Sequence, residues 1–253
     1  MTGSVTFARK EVHEILRTWR IWVLPGILLF FALTGPVLAR YTPQIVSAFA
    51  ADQLAGFTIP RPTYLDAYAQ WVKNLSQIAL FALIIIYGGL VSGESRTGTA
   101  ILVLTKPVSR TTFVVVKAAV HAAFFAILLV LGTLITWALT VVMFGSAPGG
   151  ALWGAALLSL VLGELFIAAM TLLSVVIGSS AGAAGAGLGA YMLLSIAGIW
   201  HPLARYSPAG LGPGAASLAA GDPAGVLWPV VTAVALGLVL VGTAAMLFRR
   251  KDL

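Results

Sequence analysis

Glu164 carries the sharpest chemical potential in the chain. It stands in the run Leu162-Gly163-Glu164-Leu165-Phe166, inside a long apolar stretch. A carboxyl at the centre of a bilayer costs about 2.5–3.5 kcal/mol on insertion scales, so Glu164 is expected to face the interior of a helix bundle. Two roles suit such a group. One is a polar element of a substrate path or a conformational switch; the other is an interhelical hydrogen bond to a Ser or Thr. The remaining reactive types are sparse. There is no cysteine, which excludes disulfides, thiolate metal sites and thiol nucleophiles. His13, His121 and His201 lack metal-ligand spacing. Gly178-Ser179-Ser180-Ala181-Gly182 matches the Gly-x-Ser-x-Gly hydrolase pattern. No strand precedes it, however, and a tract of Gly, Ala and Ser produces such a match by chance. No Gly-x-x-x-x-Gly-Lys-Ser/Thr run is present, and Lys106 is followed by Pro107, so no phosphate-cradling loop is encoded. No catalytic, metal or cofactor site is expected in this chain.

The elements that must position Glu164 are membrane spans. The 253 residues are 60% hydrophobic and 9% charged, against about 25% charged in a soluble domain. That composition excludes an ordinary soluble enzyme and predicts an all-α polytopic membrane protein. A crossing needs about 20 apolar residues, and six stretches qualify: 21–39, 75–92, 118–144, 151–177, 184–200 and 227–248. The first exceeds the apolar core of a signal peptide and follows Glu11 and Glu14, so it reads as a retained helix. Six spans place both termini on one side. If that side is cytoplasmic, only Arg40, Arg61, Lys73 and Arg205 of the fifteen Lys and Arg fall outside. The bias fixes that orientation. The net charge of +7 is then a topology signal. No docking module for nucleic acid accompanies it.

Residues 1–20 read as an amphipathic helix in the cytoplasmic interface. Val12, Ile15, Leu16 and Trp19 share one face, and Arg9, Lys10, His13, Glu14, Arg17 and Arg20 supply the polar remainder. Residues 40–74 are expected outside, with a short helix over 64–73. Residues 201–226 carry Pro202, Pro208, Pro213 and Pro223 and cannot form one helix. They read as an external segment that dips partly back into the membrane, where protein covers its backbone. Lys117 and His121 share a helix face and read as an anchor at the inner interface. The small residues of 178–190 predict a tight turn and close packing of the fourth span on the fifth. Pro25-Gly26 and Gly35-Pro36 are expected kinks in the first span.

Residues 93–112 form the one sizeable cytoplasmic loop. A short apolar helix is expected over 99–104, ended by Pro107, with Ser109 capping the next span. An apolar helix standing in the cytoplasm asks for a protein partner. Gly93-Glu94, Arg96, Gly98-Thr99, Leu104, Lys106-Pro107 and Ser109-Arg110 resemble the ABC-2 class of ATP-binding-cassette permeases. Those chains commonly show Glu-x-x-x-Gly-Thr and then Pro-x-x-Arg between their second and third spans. The amphipathic N-terminus, the split segment before the last span and the basic ending Phe248-Arg249-Arg250-Lys251 agree with it. The resemblance implies a single permease domain over 1–253, acting in export in an inner membrane. It implies a coupling helix seated in a groove of a separate ATPase subunit, which binds ATP and Mg, and a second permease chain, identical or not. Gly93, Glu94, Arg96, Gly98, Thr99, Pro107 and Arg110 match the motif and inherit a coupling role on that basis. Membrane lipid is the other expected partner, and nucleic acid is not one. The alternatives are an intramembrane protease or acyltransferase and a permease-like assembly factor.

Overall fold

The computed structural model describes residues 2–50, 60–96, 98 and 108–251. No strand occurs among the described residues, and six helices are long and apolar enough to cross a membrane. Helix α1 is Thr2–Arg17 and α2 is Arg20–Ala50. Then come α3 (Tyr64–Asn74), a π-turn (Leu75–Ala79), α4 (Leu80–Tyr87) and α5 (Ser92–Arg96). Helix α6 is Arg110–Phe144, α7 is Gly150–Val176 and α8 is Ser180–Ala197. The chain ends with α9 (His201–Tyr206), a 3-10 turn (Pro208–Gly210), α10 (Leu211–Ala219) and α11 (Leu227–Arg249).

Two boundaries differ from expectation. The first crossing helix does not stop at residue 39 but continues to Ala50, with Pro25, Pro36 and Pro43 inside it. The hydroxyls of Thr34 and Thr42 donate to the carbonyls of Phe30 and Leu38, at 2.7 and 2.6 Å. Pro36 and Pro43 have no N–H to give the carbonyls of Ala32 and Ala39, and the threonine bonds fall on the turn beside those freed carbonyls. The second difference concerns the helix expected outside at 64–73, which is the first part of the second crossing helix, Tyr64–Glu94. Its polar residues Asp66, Gln70 and Lys73 lie on one flank. Ala67, Tyr68, Trp71 and Val72 are buried, so this stretch packs like the span it continues. The Trp71 indole N–H donates to Thr133 Oγ1 of α6 at 3.2 Å. Its ring rests where a Cβ on Gly132 would come within 2.7 Å, so no larger residue fits there without moving the tryptophan.

Helix α7 is the centre of the bundle, packed by α4, α6, α8, α10 and α11. Helix α10 lies beside the first half of α7, with Leu218 over Gly154 and Leu158 over Gly214. Residues 201–226 thus form short pieces, as the prolines required. Helix α8 starts at Ser180, where Ser179 Oγ accepts from the Gly182 N–H at 3.0 Å. The Gly-x-Ser-x-Gly match is therefore a helix N-cap. The small-residue tract packs on the second span as well as on the fourth. A Cβ on Gly187 would meet Met170 Sδ at 2.4 Å and Ile84 Cγ2 at 2.8 Å.

Candidate functional site

Both termini meet at one end of the bundle. Phe113 of α6 stacks between Phe7 of α1 and Phe248 of α11, with centroids 5.1 and 5.3 Å away. Each such ring pair contributes roughly 0.5–1.5 kcal/mol beyond its buried area. This triple stack holds α1 against the beginning of α6 and the end of α11.

One turn beyond it lies a charged cluster. Lys117 Nζ of α6 donates to Glu11 Oε2 of α1 at 2.6 Å and to Glu94 Oε1 of α5 at 2.7 Å. Lys10 Nζ reaches Glu94 Oε1 at 2.8 Å, Glu11 Oε1 at 2.9 Å and Glu14 Oε2 at 2.6 Å. His121 Nε2 stands 3.9 Å from Glu11 Oε2, and its ring meets Tyr87 of α4 edge-on. Lys117, Glu11 and His121 are 0% exposed. A buried ion is tolerated only when it is paired and hydrogen-bonded; Lys117 meets that condition through α1 and α5, and Glu11 through α6. Burial works to lower the pKa of the half-exposed Lys10. The hydrogen bonds to Glu14 and Glu94 and the field of Glu11 outweigh it and leave the ammonium pKa raised.

Glu11, Glu14 and Glu94 also bring their carboxylate oxygens within 4.8 Å of one another, a spacing that a divalent cation can bridge. The two ammonium groups already occupy that position and offset two of the three negative charges, with at least one contact to each carboxylate. The arrangement suits a structural joint among three elements.

Helix α1 has three faces. Phe7, Glu11 and Ile15, spaced by four, are buried against the bundle. Val5, Val12, Leu16 and Trp19 stay uncovered, at 47–68% exposure. Arg9, His13 and Arg17 occupy the third side. Ile15 thus belongs to the protein-facing side and not to the uncovered apolar face.

The loop motif divides between inward and outward residues. Glu94 is drawn in by both lysines, and Gly93 beside it is half-buried in α5. The hydroxyl oxygen of Ser174 in α7 accepts from the N–H groups of Val91 and Ser92, both at 2.9 Å. This bond fixes the start of α5. Arg96 is exposed and forms no ion pair with a described residue. Gly98 has φ +72°, a left-handed conformation that favours glycine. Arg110 Nη1 donates to the carbonyl of Lys251, and to that of Arg249 at 3.4 Å, which satisfies the last turn of α11. Thr99, Pro107 and the helix expected over 99–104 lie outside the described residues.

Glu164 is placed differently from expectation. It is half-buried on the flank of α7, not in the interior. The interior face is filled by Leu162, Gly163, Phe166 and Met170, and a Cβ on Gly163 would meet Phe125 Cε1 at 2.1 Å. Glu164 instead lines a groove of about 370 Å³ between α6, α7 and α11. No described residue gives it a hydrogen bond or an ion pair, so of its two suggested roles the bond to a Ser or Thr is not formed among the described residues.

Glu11, Lys10, Lys117 and His121 form the part of the site that reading along the chain did not assemble. The available signal was an acid on the buried stripe Phe7-Glu11-Ile15 and a lysine in the run Val114-Val115-Val116-Lys117-Ala118. Each calls for a buried counter-charge. A family model described as ABC-2 family transporter protein matches residues 5–206, a stretch that includes the cluster, the loop and Glu164. No curated protein matches the chain.

Proposed function

The chain belongs to the ABC-2 transporter family, and from that premise we propose that it is the permease subunit of an ABC exporter driven by a separate ATPase. It works as a pair of permease chains in an inner membrane, with both termini and the 93–112 loop in the cytoplasm. The observation that carries this reading is the bridging of Glu94, at the head of the loop, to α6 and α1 by Lys117 and Lys10.

An ATPase that closes on ATP has to push on something that cannot slip. Glu94 is such a point. Its carboxylate is tied to Lys117, which belongs to the third span, and through Lys10 and Lys117 to the helix that precedes the first span. Ser174 ties the same short helix to α7, the helix that carries Glu164. Displacement of the loop therefore reaches α1, α6 and α7 together, and the bundle switches the side to which its cavity opens. Arg96, exposed and without an ion-pair partner among the described residues, offers the ATPase a cation to bind.

Affinity purification in mild detergent tests this. The chain should bring down a nucleotide-binding protein in roughly equal amount, with measurable ATPase activity. Arg96→Glu should release that protein while the chain itself still elutes as a folded species. A preparation with no nucleotide-binding protein refutes the proposal. Retention of the ATPase by Arg96→Glu removes that residue from the contact.

A further inference from the structure

From the groove beside Glu164 we infer a binding site for an amphiphilic organic cation that enters from the inner half of the membrane; this rests on the exporter reading above. The groove is built of small apolar residues. Ala118 and Ala122 come from α6, Ala168 from α7, and Ala233 and Gly237 from α11. Such residues leave a trough between helices that otherwise pack closely. Glu164 is the only charged residue in its lining. Twelve residues separate Glu164 from Val176, the end of α7, which is about 18 Å at 1.5 Å per residue. The trough extends from that depth toward the end where the termini meet, reaching Val115 and Val241.

A carboxyl at this depth needs a partner, and none of the described residues supplies one. Lys117 of α6 is fully buried and committed to Glu11 and Glu94. Arg40 lies over Phe144, at the other end of α6, and Lys73 lines a different pocket, with Leu162, Ser195 and Pro213, that does not include Glu164. An ammonium or phosphonium with its own apolar body meets both requirements. The body takes the alanine-lined walls, and the charge meets Glu164 where low polarity strengthens the pair.

The test uses the purified permease–ATPase complex in lipid nanodiscs, with radiolabelled tetraphenylphosphonium as the cationic probe and triphenylphosphine oxide as a neutral one. The wild-type complex should bind the cation saturably above empty discs. Glu164→Gln should weaken that binding by roughly tenfold or more, since truncating one partner of a buried charge pair removes most of the affinity. The neutral probe should not distinguish the two. Gly237→Leu, which fills the trough and keeps the acid, should also abolish cation binding. Glu164→Asp should retain part of it. Equal binding by wild type and Glu164→Gln overturns the inference, as does an equal effect on the neutral probe. A complex that hydrolyses ATP but does not bind the cation refutes this site and leaves the exporter reading intact. Absence of any ATPase refutes the exporter reading, and the direct binding measurement still decides the site.

Discussion

Replacing Lys117 with methionine isolates the charge at the joint. Methionine keeps most of the stem that packs near Phe113, whose ring centroid lies 5.7 Å from Nζ, and it removes the ammonium. The cluster then changes from three carboxylates and two ammoniums to three carboxylates and one. Glu11, fully buried, retains Lys10 at 2.9 Å as its one ammonium partner. Breaking a buried pair in this way costs about 3–5 kcal/mol, because the remaining acid stays desolvated. At about 2–4 °C per kcal/mol for a chain of this size, the melting temperature of the detergent-solubilised protein should fall by roughly 6–20 °C. The double change Lys117→Met with Glu11→Gln removes one charge of each sign. It should recover most of the loss, since a neutral isosteric pair in place of a buried ion pair is often neutral in stability. The assay is a four-protein cycle: wild type, the two single variants and the double, each melted in the same detergent. Lys73→Met, at an exposed lysine, serves as the control and should be nearly silent. The reasoning is refuted if Lys117→Met melts with the control, or if the double variant falls by the sum of the singles.

Other expectations follow from single contacts. Gly163→Ala drives a methyl into the Phe125 ring and should cost about 1–3 kcal/mol, with partial recovery in a Phe125→Leu background, read by thermal melting. Gly98→Ala should reduce ATPase retention more than Gly98→Asn, because asparagine tolerates a left-handed backbone better than alanine does; co-purified ATPase per permease is the measure. The folded pKa of Lys10 lies above its ordinary 10.5. Its contribution is therefore complete below about pH 10.5 and is lost only as pH rises through the raised value. Raising pH from 7 to 10 should leave the difference in melting temperature between wild type and Lys10→Met unchanged.

The spans were legible because apolar length is the dominant signal in a bilayer. Their ends were not, since the signals used to stop a helix were overridden by packing. Residues from 40 on read as external, yet the helix continues through Pro43 beside the Thr42 back-bond. Asp66 and Lys73 read as solvent residues, yet they sit on one flank of a helix whose other side buries Trp71. The site was legible where residues are local. Glu94 and Arg96 were named through the motif that the loop resembles, and of the two only Glu94 is drawn into the charged cluster. Lys117 and His121 were seen to share a face, but the partner that explains them, Glu11, lies 106 residues away from Lys117, and spacing carries no information across that distance. Glu164 was recognisable as costly in lipid, but not the direction in which it points. Helix α7 is apolar nearly all round, so its sequence offers no polar stripe from which to read an orientation.

The joint is ionic where an apolar contact would have been as stable, and this bears on what it does. Leucines in place of Glu11, Glu94 and Lys117 would bury without desolvating charge, and buried ion pairs are not a means of maximising stability. They constrain geometry. An apolar contact tolerates sliding by fractions of an ångström in any direction, because dispersion is non-directional. Lys117 is held between two carboxylates at 2.6 and 2.7 Å, and either bond weakens steeply if α1 or α5 shifts alone. The low-cost motions are those in which α1, α5 and the start of α6 move as one body. On the exporter reading, with α1 in the membrane interface, its uncovered apolar face of Val5, Val12 and Leu16, with Trp19 just beyond the helix, is the surface on which that body slides. A lipid boundary resists a helix leaving it but not a helix moving within its plane. On the exporter reading, the direction of the power stroke at this end is set by the membrane surface, and its rigidity by three carboxylates and two lysines.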